Sequence, residues 1–312
     1  MMAPSRIVST PWTARGSPGA ASLASTMKNS SHVVGFLICL LLIVPALCST
    51  SRVTTSAEEC LQFLHRHMPK NDRGLIDHDF LTKNVQYALK ARELTAWGSS
   101  SVPWKLFLND VLPYAVLNER RDDWRALFYD SLAPLVSETT SIEQAASVIN
   151  ARIWSLWDLK FVGGQTPQTM SPFQVLSAGN ASCTGMSILM VDALRSVGVP
   201  ARVVGAPEWN DGSGGNHDWV EVWYDEEWHF IDAFDGTKFD EGWFVPSPVK
   251  YQRPNCGLHS IYASSFQPTE GDVRFPLAWD YEDLSVPGLD VTQWYLDFIE
   301  RHGDRSLEVQ SA

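Results

Sequence analysis

The chain has 312 residues, 45% of them hydrophobic and 19% charged, and a formal net charge of −12. That length suits one large domain or two small ones, and the acidic balance excludes nucleic acid as a partner, which would need clustered Lys and Arg. Acidity of this kind speaks to solubility and not to fold.

The charge is uneven along the chain. Residues 1–48 hold no Asp or Glu and only Arg6, Arg15 and Lys28, which leaves 21 basic residues against 36 acidic ones in the remainder. Residues 33–48 (VVGFLICLLLIVPALC) are the longest apolar run. The run is shorter than the ~20 residues of a stable membrane span. Lys28 precedes it and Ala46-Leu47-Cys48 offers a small-residue cleavage site, the order of a secretory signal peptide. A cleaved leader and an uncleaved single-pass transmembrane anchor both fit, so the protein is expected to be secreted or membrane-anchored through the secretory pathway. Residues 1–26, rich in Ser, Ala, Pro and Arg, also fit an organellar targeting extension, a disordered tail or sequence upstream of the true start. Residues 1–50 are therefore set apart as a leader. Beyond it lie Cys60, Cys183 and Cys256. A Cys60–Cys256 disulfide that leaves Cys183 reduced and three free thiols are both compatible with the sequence.

Residues 51–150 read as a helical lobe. From Asp77 to Trp97 the apolar residues Phe80, Leu81, Val85, Ala88, Leu89 and Leu94 follow the 3.6-residue period. Pro103 opens another run, and Asp122–Val136 and Ser141–Trp157 continue the pattern, with Ser141 and Gln144 spaced as a capping box. The run from Leu112 to Glu119 reads as core and turn. Residues 158–180, rich in Gly, Pro, Gln and Ser, read as a loop. Residues 182–197 then form a helix with Ser182 as N-cap, an apolar stripe from Met186 to Val197, and Gly198 and Pro200 as its stop. Strands follow at 201–206, 217–224 and 227–234, with a Gly-rich loop at 210–216. A last helix is expected near Thr292–Arg301.

Cys183 falls in the first turn of its helix. Unpaired N–H groups and the partial positive charge of a helix N-terminus favour a thiolate and suit a developing oxyanion. His217 opens a strand and Asp232 lies on the next. If Asp225-Glu226 form a two-residue hairpin turn, Tyr224 pairs with Glu227. His217 then faces Phe234, and Asp232 faces Trp219. His217 and Asp232 share one sheet face as diagonal neighbours, and a one-residue slip would separate them. His229 falls on the opposite face, where a surface position is expected. Glu221 falls on the His217 face, either supporting the site or standing as a solvated or core-edge carboxylate.

These residues occur in an order that resembles the transglutaminase-like core domain. SAGNASCTGMSILMVDALRSVGVPAR (177–202) supplies the Cys-headed helix and the Gly198-Val199-Pro200-Ala201-Arg202 strand entry. NHDWVEVWYDEEWHFIDA (216–233) supplies the His strand, with Asn216, His217, Trp219, Val220, Glu221 and Val222, and the Asp strand, with Trp228 and Asp232. The resemblance implies an α+β, papain-like fold, in which the Cys helix packs on an antiparallel sheet and an N-terminal helical lobe joins it. The expected layout is a lobe at 51–150, a catalytic core at 151–250 and a C-terminal extension at 251–312. It also implies a thiol enzyme acting on protein or peptide amides through Cys183, His217 and Asp232, by acyl transfer or hydrolysis. A protease, a deglycosylase and a non-catalytic module are other outcomes on the same fold.

Family members use a Trp or polar donor upstream of the Cys to help the oxyanion. Trp154, Trp157, Gln165 and Gln174 are candidates here, with Trp157 and Gln174 put forward. The Asn180-Ala181-Ser182 sequon is expected to stay unglycosylated beside the nucleophile. No cofactor is implied. No Cys or His spacing suggests zinc, and no phosphate loop or dinucleotide fingerprint is present. Asp235, Asp240 and Glu241 make no calcium-loop pattern.

Overall fold

The computed structural model describes residues 55–234 and 238–302. The leader, Cys39, Cys48 and Asp235 lie outside the described residues. Among the described residues, no helix is long and apolar enough to cross a membrane.

The N-terminal half is helical: α1 (Ser56–His67), α2 (His78–Arg92), the short α3 (Ala96–Ser100) and α4 (Trp104–Leu106), a π-helical turn at Phe107–Val111, α5 (Arg125–Val136) and α6 (Ile142–Leu156). Ser141 caps α6 through the Gln144 N–H at 3.1 Å. The return bond differs from the expected box: Gln144 Oε1 accepts from the Thr140 N–H, one residue earlier, at 2.8 Å. The run from Leu112 to Glu119 is a structural seam. Glu119 accepts from the Val116 and Leu117 N–H groups. The buried Arg125 donates to the Val111, Leu112 and Pro113 carbonyls, and Arg195 donates to those of Asp110 and Ala115. Buried carbonyls without such partners would be costly.

The segment 158–180 is more ordered than a loop. Strand β1 (Lys160–Phe161) pairs in parallel with β2 (Asn180–Ala181), and between them lies α7 (Pro172–Ala178). Its punctuation is local: Gln174 Oε1 accepting from the N–H of the N-cap residue Ser171, Pro172 at the first position, and Gly179 at φ 68 past the end. These are start and stop signals that a Gly- and Pro-rich composition conceals.

Helix α8 (Cys183–Ser196) is buried from Thr184 to Ser196. It packs on a five-stranded antiparallel sheet of order β5-β4-β3-β6-β7, built from β3 (Ala201–Ala206), β4 (His217–Tyr224), β5 (Glu227–Ile231), β6 (Tyr262–Ser264) and β7 (Gly288–Asp290). β4 alternates between two cores. Val220 and Val222 join the helical side, with α8 and the lobe. Trp219 joins the other side, with Phe230, Phe244 and Tyr295 of α9 (Thr292–His302). The first of these cores runs without a break from Cys60 to Val286, so lobe, sheet and C-terminal segment share it.

The hairpin register is the expected one: Tyr224 pairs with Glu227 and Val220 with Ile231. Asp225 and Glu226 lie at φ 47 and 68, as a type I′ turn requires. β5 ends at Ile231, short of the expected 234. A non-glycine residue held at positive φ costs on the order of 1 kcal/mol. Glu226→Gly should therefore stabilise the protein by about that amount, raising the thermal midpoint by roughly 2–4 °C. A midpoint unchanged or lowered in a thermal melt would contradict the turn assignment.

Candidate active site

Cys183 is the first residue of α8 and is partly exposed. The sequence leads one to expect that Ser182 caps this helix through its side chain. Ser182 holds the N-cap position, but its hydroxyl makes no capping bond. Among the described residues, the N–H groups of the first turn at Cys183 thus keep their donors free. The Ser182 N–H donates to Gln165 Oε1 at 2.8 Å. Gln165 Nε2 donates to the Gln168 carbonyl at 2.6 Å. Gly185 makes room for this contact, since a Cβ there would meet Gln165 Oε1 at 2.6 Å.

Of the four upstream candidates, Gln165 is thus the one bonded at the mouth of the Cys183 helix. The Trp157 ring packs tilted against Phe128, 4.8 Å between centroids. Gln174 uses its carbonyl oxygen on the Ser171 N–H at 2.9 Å. The Trp154 indole donates to Asn150.

His217 opens β4 and is 8% exposed. Its Nε2 meets Asp232 Oδ1 at 3.1 Å. This leaves Nδ1 as the ring nitrogen free of Asp232. Trp243, Phe244 and Trp219 surround the ring at 5.1, 5.3 and 5.9 Å between centroids. Burial lowers the ring's proton affinity, but the Asp232 hydrogen bond and the nearby Cys183 more than reverse this, leaving its pKa raised to about 10. The result is an imidazolium held at neutral pH. Among the described residues Cys183 makes no aligned hydrogen bond to the ring, a looseness common in unliganded sites.

Glu221 is no solvated carboxylate. It is 1% exposed. It receives Arg202 at 2.7 Å and the Tyr295 hydroxyl at 2.8 Å, and the Trp219 indole donates to that same hydroxyl at 2.7 Å. The Arg202 guanidinium also lies 3.9 Å from the centre of the Trp228 ring. Arg202, Trp219, Glu221 and Trp228 are therefore a buried brace behind the His217 strand.

His229 departs from its expected surface position. Its ring stacks on Tyr224 at 3.8 Å and bonds Asp240 at 2.7 Å. Asp240 also accepts from the Phe230 N–H, so it pins the segment leading to Trp243. Cys60, Cys183 and Cys256 are all free thiols, with Cys60 buried and Cys256 exposed. Among the described residues no cluster of His, Cys, Asp or Glu could hold a metal ion. The amide of Asn180 bonds the Ala178 carbonyl.

Two neighbours of the site escape sequence reasoning. Trp243, 58% exposed beside His217, lies in a Pro-rich stretch with no periodicity. Asp218 did carry a signal, an acid at an inward position of β4 in phase with Val220 and Val222.

The family model of the transglutaminase-like superfamily matches residues 132–233. That stretch is thus similar to a transglutaminase-like core domain. Its Cys-headed helix packed on an antiparallel sheet is the papain-like arrangement expected of that domain. No curated protein matches the chain. Solved structures do. The "putative cysteine protease" of Cytophaga hutchinsonii is 17% identical, with 36% of each chain covered and a TM-score of 0.29. The "putative protease" of Parabacteroides distasonis is 12% identical over 62% of this chain and 32% of its own, with a TM-score of 0.31. A protein named as a TGase is 20% identical over 38% of this chain and 32% of its own, with a TM-score of 0.25. The chain thus spans 32–36% of the length of these structures. Likeness at this level carries nothing about activity.

Proposed function

We propose that this transglutaminase-like domain is a thiol enzyme acting on protein or peptide amides, with Cys183 as nucleophile, His217 as acid and base, and Asp232 as the group that orients the imidazole. The observation that carries the reading is the His217 ring, bonded to Asp232 through Nε2 at 3.1 Å and raised in pKa by both Asp232 and Cys183. An Asp so placed fixes the ring and stabilises the imidazolium.

The Cys183 sulfur attacks the amide carbonyl carbon and forms a C–S bond, while the carbonyl electron pair moves onto oxygen. The free N–H groups of the α8 first turn supply donors for that oxyanion. Collapse breaks the C–N bond, and the His217 imidazolium gives its proton to the departing amine. The product is a thioester on Cys183. Neutral His217 then takes a proton from water or from a second amine as that nucleophile attacks, and the thiolate departs. Water gives hydrolysis, and an amine gives a new amide.

The test is ammonia release from glutamine-containing peptides, with and without an added primary amine. Release that Cys183→Ala abolishes is the expected result. Incorporation of the amine would mark a transferase, and its absence a hydrolase. If a varied peptide set yields neither ammonia nor a new amine or acid, amide chemistry on glutamine is refuted.

A further inference from the structure

The residues that flank the proposed nucleophile and base along the chain are bonded to each other. Thr184 follows Cys183, and Asp218 follows His217. The Thr184 hydroxyl donates to Asp218 Oδ2 at 2.6 Å. Ser187, one turn further along α8, donates from its hydroxyl to the Asp218 carbonyl at 3.1 Å. Thr184 is 5% exposed and Asp218 9%, so water does not compete for these bonds. β3 leaves space for the carboxylate: Gly205 pairs directly with Asp218 in the sheet, and a Cβ at Gly205 would overlap Asp218 Oδ1.

We infer that the Thr184–Asp218 hydrogen bond is a positioning clamp that fixes the first turn of α8, and with it Cys183, against the end of β4 that carries His217. The inference rests on the reading of Cys183 and His217 as a reacting pair. The clamp is a side-chain hydrogen bond from α8 to β4 that involves neither Cys183 nor His217. Asp218 lies on the α8 side of β4, in phase with Val220 and Val222 and opposite in phase to His217. Burial raises the Asp218 pKa, and the Thr184 bond and the charge of His217 offset only part of that rise. Thr184 and Asp218 touch no substrate in this account; they act through their neighbours.

The experiment uses the soluble protein and iodoacetamide, with the alkylation rate of Cys183 mapped by mass spectrometry from pH 5.5 to 10. Thr184→Val keeps the volume and removes the donor. It should slow labelling near pH 6 by roughly 10- to 100-fold, with the deficit closing at high pH. Thr184→Ser, which keeps the hydroxyl, should restore the wild-type profile. If Thr184→Val does not fold, Asp218→Leu, which keeps the approximate shape and removes the acceptor, tests the same bond from its other end and should move the profile the same way. An unchanged profile in the folded variants, with wild type fast and dependent on His217, overturns the clamp and leaves the proposed function standing. A wild type that labels no faster than the exposed Cys256 overturns both.

Discussion

His217→Ala is expected to slow iodoacetamide labelling of Cys183 at pH 6 by about 100-fold, within the range general acid–base groups contribute. The reason is charge. With its pKa raised to about 10, the ring is an imidazolium facing the sulfur across the neutral range, and alanine removes that cation. Cys256, exposed and free, is the internal reference, because Cys60 is buried with its pKa raised to about 12. The sign of the pH effect follows from the direction of the shift. A folded-state pKa raised above the ordinary histidine value of about 6.5 stabilises the fold fully below that pH, and the contribution is lost as pH rises through about 10. The labelling advantage of wild type over the variant should persist through pH 8 and vanish over the same upper window. Equal rates for Cys183 and Cys256 in the wild type, or no effect of the substitution, would remove the basis for the proposed mechanism.

Glu221→Ala should cost about 3–5 kcal/mol, the usual consequence of deleting one partner of a buried ion pair. Glu221 accepts from both Arg202 and Tyr295 while only 1% exposed. Its removal strands a guanidinium and a phenol inside the molecule. Glu221→Gln keeps an acceptor for Tyr295 but loses the charge, so it should fall between alanine and wild type. Urea denaturation would measure both. A loss below about 1 kcal/mol for alanine would mean that Arg202 finds water or another acceptor, and that the brace is not closed. The same variant should also disturb Trp219, since Tyr295 bridges Trp219 and Glu221.

The hairpin carrying His217 and Asp232 was legible because strict alternation and a two-residue turn leave one register, and Tyr224–Glu227 pairing bears it out. The α8 helix was legible from its stripe and its Gly198-Pro200 stop. Other features were hidden for physical reasons. Ser182 has the composition of a cap, but its side chain makes no capping bond and its N–H goes to Gln165 instead, a partner seventeen residues earlier. His229 was assigned outward by phase alone, yet Asp240 covers that edge strand and Tyr224 stacks on the ring. The segment 158–180 hid a helix because its caps, Ser171, Pro172 and Gly179, are the same residue types that make loops. Trp243 had no signal at all, because only chain folding brings it against His217.

β4 places alternate side chains in two separate interiors, and this sets where the chain tolerates changes of length. Removing one residue inside 217–224 would invert the phase of everything before it. Trp219 and Glu221 would exchange sides with Val220 and Val222, and His217 with Asp218. Asp211, Gly212, Ser213 and Gly214, by contrast, are exposed in the loop that precedes the strand, where added or lost residues leave that phase untouched. Length variation among natural or engineered versions of this chain should therefore gather in 211–214 and stop abruptly at His217.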